Sequence, residues 1–252
     1  MFFWLLMLLG CGLEPLGQDS GAGNSGVDRG DPVDFVVYPS AAQDRILIYT
    51  GHGGKVLLPY SEVRVAWEAD GWTVREADTF PADLQSYRLI VFVDTGAQES
   101  TGEGAFSEEE FTALSKAIER GTRLLFLQDR QADGRCGSEA MLDLSNEWSV
   151  PFVFDQGLSD ENAPLHFDIV AENSQPMDQV STLTFKQPCT LTDGGAWLVQ
   201  SDTSFPLAVH FRPSNAGDLI FVGDTDILKD AVVDPAINDN MIFAQNLAKV
   251  VP

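Results

Sequence analysis

Basic residues are scarce in this chain. Fifteen Lys and Arg stand against 38 Asp and Glu, giving a formal net charge of −23 over 252 residues. A surface of that sign repels phosphate backbones and excludes nucleic acid as a partner. It also repels an anionic bilayer, so any membrane attachment has to be covalent or hydrophobic. The same composition suits a salt-adapted protein or a plainly soluble acidic one. Cysteine occurs only at Cys11, Cys136 and Cys189, with no CxxC or Cys/His pair at metal spacing. That pattern argues against a zinc site. Histidine occurs only at His52, His166 and His210. No GxSxG elbow is present, so a Ser–His–acid hydrolase has no strained turn for its nucleophile. The glycine-rich "TGHGG" lacks GxGxxG and GxxxxGK[ST], and no helix start follows it closely enough to hold a phosphate. The apolar run Phe2–Leu9 is too short to span a bilayer as a helix.

That short run has the length of a signal-peptide hydrophobic region. It ends in "LLGC", and Leu8, Gly10 and Cys11 resemble the bacterial lipobox, in which cleavage precedes a cysteine that carries lipid. No Lys or Arg comes before it. The other reading is an ordinary secretory signal with a chance cysteine. The lipobox resemblance implies a signal peptide over 1–10, lipidation of Cys11, and delivery to the outer membrane on its periplasmic or surface face. "GLEPLGQDSGAGNSGVDRGDP" follows, rich in Gly, Ser and Asp. It has too little apolar surface to offset ordering entropy and reads as a flexible tether over 11–43. In an oxidising compartment Cys136 and Cys189 could pair; two buried free thiols are the alternative.

The folded part is expected over 44–252. Hydrophobic residues at 44% and charged residues at 21% are ordinary for a globular core. "RILIYTG", "WTVREAD", "YRLIVFVDTG" and "TRLLFLQD" read as strands, several of them continuous apolar runs suited to a sheet covered on both faces. "YSEVRVAWEADG" places Val63, Ala66 and Trp67 on one helical face. "FSEEEFTALSKAIERG" carries an N-cap at Ser107, a capping box closed by Glu110 and a Phe106–Phe111 staple, and it ends at Gly121. "SEAMLDLSNEW" predicts a helix and "PFVFD" a short fifth strand. After Gly157, "LTFKQPCTLT", "AWLVQSD", "PLAVHFRP" and "DLIFVGD" read as an antiparallel section whose last member returns to the main sheet. "NDNMIFAQNLAKVV" predicts a closing helix with Ile237, Met241, Leu247 and Val251 inward.

Alternating strands and helices predict an α/β three-layer sandwich with a mostly parallel, Rossmann-like central sheet of the flavodoxin or amidotransferase type, plus the antiparallel C-terminal section. Sites in that architecture lie at the C-terminal ends of the strands. There stand His52, Asp94, Asp129, Asp224 and Asp226, with Asn240 opening the last helix. His52 suits a general base or a loop histidine satisfied by backbone. His210, inside a strand run, reads as structural. The stretch "GDTDILKDAVVDPAINDN" packs five aspartates and two asparagines into eighteen residues. It is not an EF-hand loop: Leu228 falls where the fifth-position ligand belongs, and there is no central glycine or closing Glu. Its acids and amides suit a polar turn that satisfies free backbone N–H groups. No metal or cofactor is expected, although a cation could share the turn.

The element order, with His52-Gly53 after the first strand, Gly223-Asp224-Thr225-Asp226 at a late strand end, and Asn238-Asp239-Asn240 with Asn246 at the last helix, resembles the class I glutamine amidotransferase-like superfamily. The likeness is to its non-catalytic branch, of the domain-of-unknown-function and gliding-motility accessory type. That superfamily places a nucleophilic cysteine on the turn after the fourth main strand. Gln128, Asp129 and Arg130 stand there, Cys136 comes too late, and Tyr49 and Thr50 replace an acid often found before the histidine. The resemblance implies an envelope protein that binds or scaffolds a partner protein or small polar ligand, without catalytic residues. The alternative is a hydrolase of a carbohydrate or peptide using His52 and cleft carboxylates.

Overall fold

The computed structural model describes residues 43–54, 60–95, 106–130, 134, 136–150, 154–158, 164–170, 174–192, 194–202, 204–213, 217–229 and 239–249. The expected signal peptide, Cys11, nearly all of the tether, Ile237, Asn238 and Val251 lie outside these residues.

Strands β1 (Arg45–Tyr49), β2 (Thr73–Ala77), β3 (Tyr87–Val93) and β4 (Arg123–Leu127) alternate with helices α1 (Ser61–Ala69), α2 (Glu108–Glu119) and α3 (Glu139–Glu147). Strands β5 (Phe154–Gly157), β6 (Pro164–Asp168), β7 (Thr182–Lys186), β8 (Cys189–Leu191), β9 (Ala196–Gln200), β10 (Pro206–Phe211) and β11 (Leu219–Val222) follow, and α4 (Asn240–Ala248) closes the chain. One seven-stranded sheet runs β2-β1-β3-β4-β11-β10-β9. It is parallel from β2 to β11, and β10 and β9 add antiparallel at one edge. This is the expected α/β sandwich with a mostly parallel central sheet.

The apolar runs are continuous because both faces are covered. In β1, Ile46 and Ile48 enter the core shared with α1 and α4, while Leu47 and Tyr49 enter the core shared with α2 and α3. Helix α1 buries Val63 and Trp67, and Trp67 Nε1 donates to Ala244 O of α4 at 2.8 Å. Helix α2 begins as its sequence specifies. Ser107 Oγ accepts from Glu110 N, the Glu110 carboxylate accepts from Ser107 N, and the Phe106 and Phe111 rings lie 5.6 Å apart. Each buried Leu, Ile or Phe in such a sheet stabilises by about 1.5–3 kcal/mol relative to exposure.

Several expectations on the C-terminal half need correction. Strands β9 and β10 belong to the main sheet, and β11 lies between β4 and β10. The short fifth strand forms as β5, and it pairs with β8 in a separate ribbon. Strand β6, which the sequence reading passed over, pairs with β7. "LTFKQPCTLT" is two strands in two ribbons. Gln187 adopts φ +58°, and Pro188 has no N–H for a ladder, so the run breaks there. On one side of the break Leu183 and Phe185 pack with α4; on the other Cys189 and Leu191 pack with α2 and α3. The segment therefore crosses the C-terminal end of β11, against Gly223. Cys189 N donates to Gly223 O, and a Cβ at Gly223 would stand 1.8 Å from Cys189 O. In α4 the buried apolar residues are Phe243, Ala244, Leu247 and Ala248, with Met241 only partly covered. Apolar residues occur nearly all round this helix, so periodicity alone could not choose its inward face.

Candidate functional site

Strands β3, β4 and β11 end side by side, each in a polar turn. β3 is followed by Asp94 and Thr95, β4 by Gln128 and Asp129, and β11 by Gly223 to Asp226. Pairing of β4 with β11 brings residues 129 and 224 together although 95 positions separate them in sequence. The carboxylates of Asp129, Asp224 and Asp226 offer oxygens all within 4.8 Å of one another.

Backbone holds this cluster in place. Asp129 Oδ1 accepts from Thr225 N at 2.8 Å, and Asp224 Oδ1 accepts from Asp226 N at 2.7 Å. Asp224 Oδ2 accepts from Lys186 N, supplied by the segment that crosses β11. Asp94 Oδ1 accepts from Asp129 N at 3.3 Å, so Asp94 joins the set from the neighbouring turn. Asp94 also has φ +47°, a conformation that an aspartate tolerates better than most residues. Lys229 Nζ pairs with Asp226 Oδ1. Tyr60, at the head of α1, donates its hydroxyl to Thr225 O at 3.4 Å.

The electrostatics follow from gathering like charges in a dry place. Burial first, and the nearby Asp129 second, push the Asp224 carboxyl well above the ordinary carboxylate range, against the Lys186 N–H bond. Burial and then Asp129, Asp224 and Asp94 push the Tyr60 phenol up in the same way. Asp224 acts partly as a polar turn, through its bond to Asp226 N. Its second bond, to Lys186 N, reaches a distant segment.

Two other expected site residues sit elsewhere. His52, at φ +54°, has Nε2 at 2.9 Å from Glu110 Oε1 of the α2 capping box. Its ring lies 4.5 Å from that of Phe106 and 5.9 Å from that of Tyr49. Burial opposes ionisation of Glu110, yet bonds from Ser107 and His52 hold its carboxyl below the usual value. Asn240 is fully buried at the head of α4. It accepts from Thr184 N and donates to Thr184 O and Ile227 O, clamping the helix start to β7. The last helix's Asp239 accepts from Ser181 N and Thr182 N rather than capping its own helix. Cys136 and Cys189 are joined by a disulfide, with Cα atoms 5.9 Å apart. Among described residues, open grooves of about 570 and 490 Å³ flank the outer face of α2, away from the acidic cluster.

Sequence reading missed Glu110 as the partner of His52, because the capping box already accounted for it. It also missed Tyr60 and Lys186. Neither has a motif; only helix packing and chain crossing bring them to the turn.

No family model matches the chain, and no curated protein matches its sequence. Solved structures do match. The mmIFT52 N-terminal domain is similar with a TM-score of 0.57 at 14% identity, over 81% of this chain and 98% of that one. A ThuA-like protein from Bacteroides uniformis gives 0.53 at 14% identity, over 87% and 95%. A glutamine amidotransferase from Thermotoga maritima gives 0.53 at 11% identity, over 82% and 96%. At these identities the likeness is one of fold alone: a mixed α/β fold with a mostly parallel central sheet, shared with a glutamine amidotransferase and a ThuA-like protein.

Proposed function

We propose that the protein is a lipid-anchored cell-envelope module whose amidotransferase-like domain binds a partner protein or small polar ligand at its strand ends. One observation carries the binding reading. On the turn where a nucleophile would sit, Asp129 is bonded to Thr225 N, and the nearest cysteine, Cys136, is tied to Cys189. A thiol held in a disulfide does not attack a substrate. Support for the anchor comes from "LLGC" and the Gly- and Ser-rich stretch behind it. No helix among the described residues is long and apolar enough to cross a membrane. Cys11→Ser should move the protein from the membrane fraction to the soluble one, since acyl chains would be its hydrophobic anchor. Unchanged fractionation rejects the anchor.

Hydrolysis is the second reading, and the His52–Glu110 pair favours it, because a base needs an orienting carboxylate. That carboxylate belongs to the α2 cap and not to the acidic cluster. The discriminating measurement is turnover of amide, ester and glycoside model substrates. Turnover that His52→Ala abolishes would replace the binding reading with this one.

A further inference from the structure

Helices α2 and α3 carry negative charge where their own electrostatics disfavour it. A helix C-terminus bears partial negative charge, so a carboxylate there is destabilising. Yet Glu119 is the last residue of α2 and Glu147 the last of α3. Helix α1 shows how such a residue can be answered. Glu68, in its last turn, lies 2.9 Å from Arg64 Nε one turn earlier. Glu119 and Glu147 have neither an ion pair nor a hydrogen bond of their side chains among the described residues. Helix α3 has no basic residue in its last turn, and Lys116 of α2 makes no ion pair among the described residues.

Both carboxylates line one groove. It measures about 490 Å³ on the outer face of α2, with Glu108 and Glu119 from that helix and Glu147 from α3. Glu108 and Glu119 are the first and last residues of α2, so their backbones stand about 16 Å apart. Phe106 and Phe111 supply the apolar lining. Phe111 is only half-buried, and the Trp148 ring meets it edge-on at 6.4 Å. Ser115 also lines the groove but is already used, because Trp148 Nε1 donates to its Oγ at 3.0 Å. The groove therefore offers a ligand an apolar strip and three carboxylates, against the single ammonium of Lys116.

Charge complementarity selects the occupant. A second copy would bring the same strongly negative surface to this face and be repelled. The stretch 11–43 of this chain holds Arg29 as its one basic residue, against five acids, so it does not fit either. Carboxylates spread along a helix do not share one small ion. The fitting ligand is a chain segment with several Lys or Arg along its length and apolar side chains between them. Long basic side chains lay their stems on apolar surface and carry their charge to the rim. An amphipathic segment laid into a groove is a recurring mode of protein recognition.

We propose that the groove between α2 and the end of α3 docks a basic amphipathic segment of a partner protein, with Glu119 and Glu147 taking its cationic side chains and Phe111 an apolar one. This surface is separate from the strand-end cleft, and it stands or falls independently of binding there.

The test uses the full chain and a labelled peptide of about 14 residues, leucine and lysine only, with the leucines on one helical face. Binding is followed by fluorescence anisotropy at physiological salt. Glu119→Gln combined with Glu147→Gln should weaken the affinity about tenfold. Glu76→Gln combined with Asp202→Asn changes net charge by the same amount at exposed residues outside the groove, and should weaken it less than about twofold. All four residues are exposed, so the variants keep the fold, and melting curves check this. Equal weakening in the two double variants overturns the proposal, since the peptide would then be answering the acidic surface as a whole. Undiminished binding by the groove variant overturns it, as does failure of the wild type to bind the peptide. A wild-type dimer in sedimentation that the groove variant dissociates would assign the groove to a second copy and overturn it too.

Discussion

The two ends of the central sheet handle charge in opposite ways. At the N-terminal end of β4 and β11, Arg123 is 1% exposed and places its guanidinium 2.7 Å from Asp218 Oδ2. It also donates to Leu247 O at 2.7 Å and Asn246 O at 3.3 Å, holding the end of α4. Arg212 meets Asp218 Oδ1 at 2.7 Å, and His210 lies 3.2 Å from the same oxygen, off the line of a well-aligned bond. Arg88 donates to Gly121 O at 2.7 Å, and burial, then Arg123, pushes its guanidinium down to about 10. At the C-terminal end, Asp129, Asp224 and Asp226 crowd together and Lys229 answers only one of them directly. Opposite charges gathered at one end bolt a helix to the sheet. Like charges gathered at the other end carry a cost that binding could relieve. Sheets of this architecture bind at the second kind of end.

The largest effect should come from breaking the paired end. Arg123→Ala leaves Asp218 buried without its main partner and strips two carbonyls of α4. Unpairing a buried ion pair costs about 3–5 kcal/mol. Denaturant unfolding should show that loss, and α4 should lose amide protection before β1 and β3 do. A loss confined to about 1 kcal/mol would mean that the paired end is no more structural than a surface bridge.

Next comes the disulfide, which tethers the crossing segment near the acidic end. Its cysteines are 53 positions apart. Replacing both by serine should cost about 2–4 kcal/mol. Thiol counting on the unreduced, denatured protein checks the bridge directly, and two reactive thiols at these positions would reject it.

A smaller effect, the sharpest for the comparison, is the direction of pH dependence. Burial alone would raise Asp218, but His210 and Arg123 outweigh it and hold its carboxyl far below the usual range. A depressed carboxyl contributes stability that is present above its unfolded value and is lost as pH falls through the folded value. Asp218→Asn should therefore match wild type best in strong acid and fall behind as pH rises to neutrality. Asp224 is raised, so the folded state holds a proton that the unfolded state has released. Stability then declines as pH climbs from the ordinary Asp range to the raised value, by at most about 1.4 kcal/mol per pH unit for one proton. Asp224→Asn should remove that decline. Parallel pH profiles for the two variants would erase the distinction between the ends.

How much of this was legible in the sequence varies by element. Helix α2 was read nearly to the residue, because Ser107, Glu110 and the flanking phenylalanines act within one turn of helix. Strands β1, β3 and β4 were legible as unbroken apolar runs. Strand β6 was not: "PLHFD" is short and mixed, and its pairing with β7 comes from later in the chain. The inward face of α4 was misread because apolar residues lie on most sides of it. Of the candidate site, Asp94, Asp129, Asp224 and Asp226 were named from their places just past strand ends. That His52 would face Glu110 was not legible, since nothing local links a loop after β1 to the first turn of α2.

The sequence by itself determined the layered α/β class, the strongly acidic surface, the capped helix and the end of the sheet where polar residues collect. These follow from local periodicity, from caps and from composition. Only the tertiary structure decided that β11 inserts beside β4, that the chain crosses in front of Gly223, and that three aspartates therefore share one small volume while Asp218 finds Arg123. Strand order in a parallel sheet is set by long-range burial of both faces, and residues far apart in sequence carry no local sign that their strands will be neighbours.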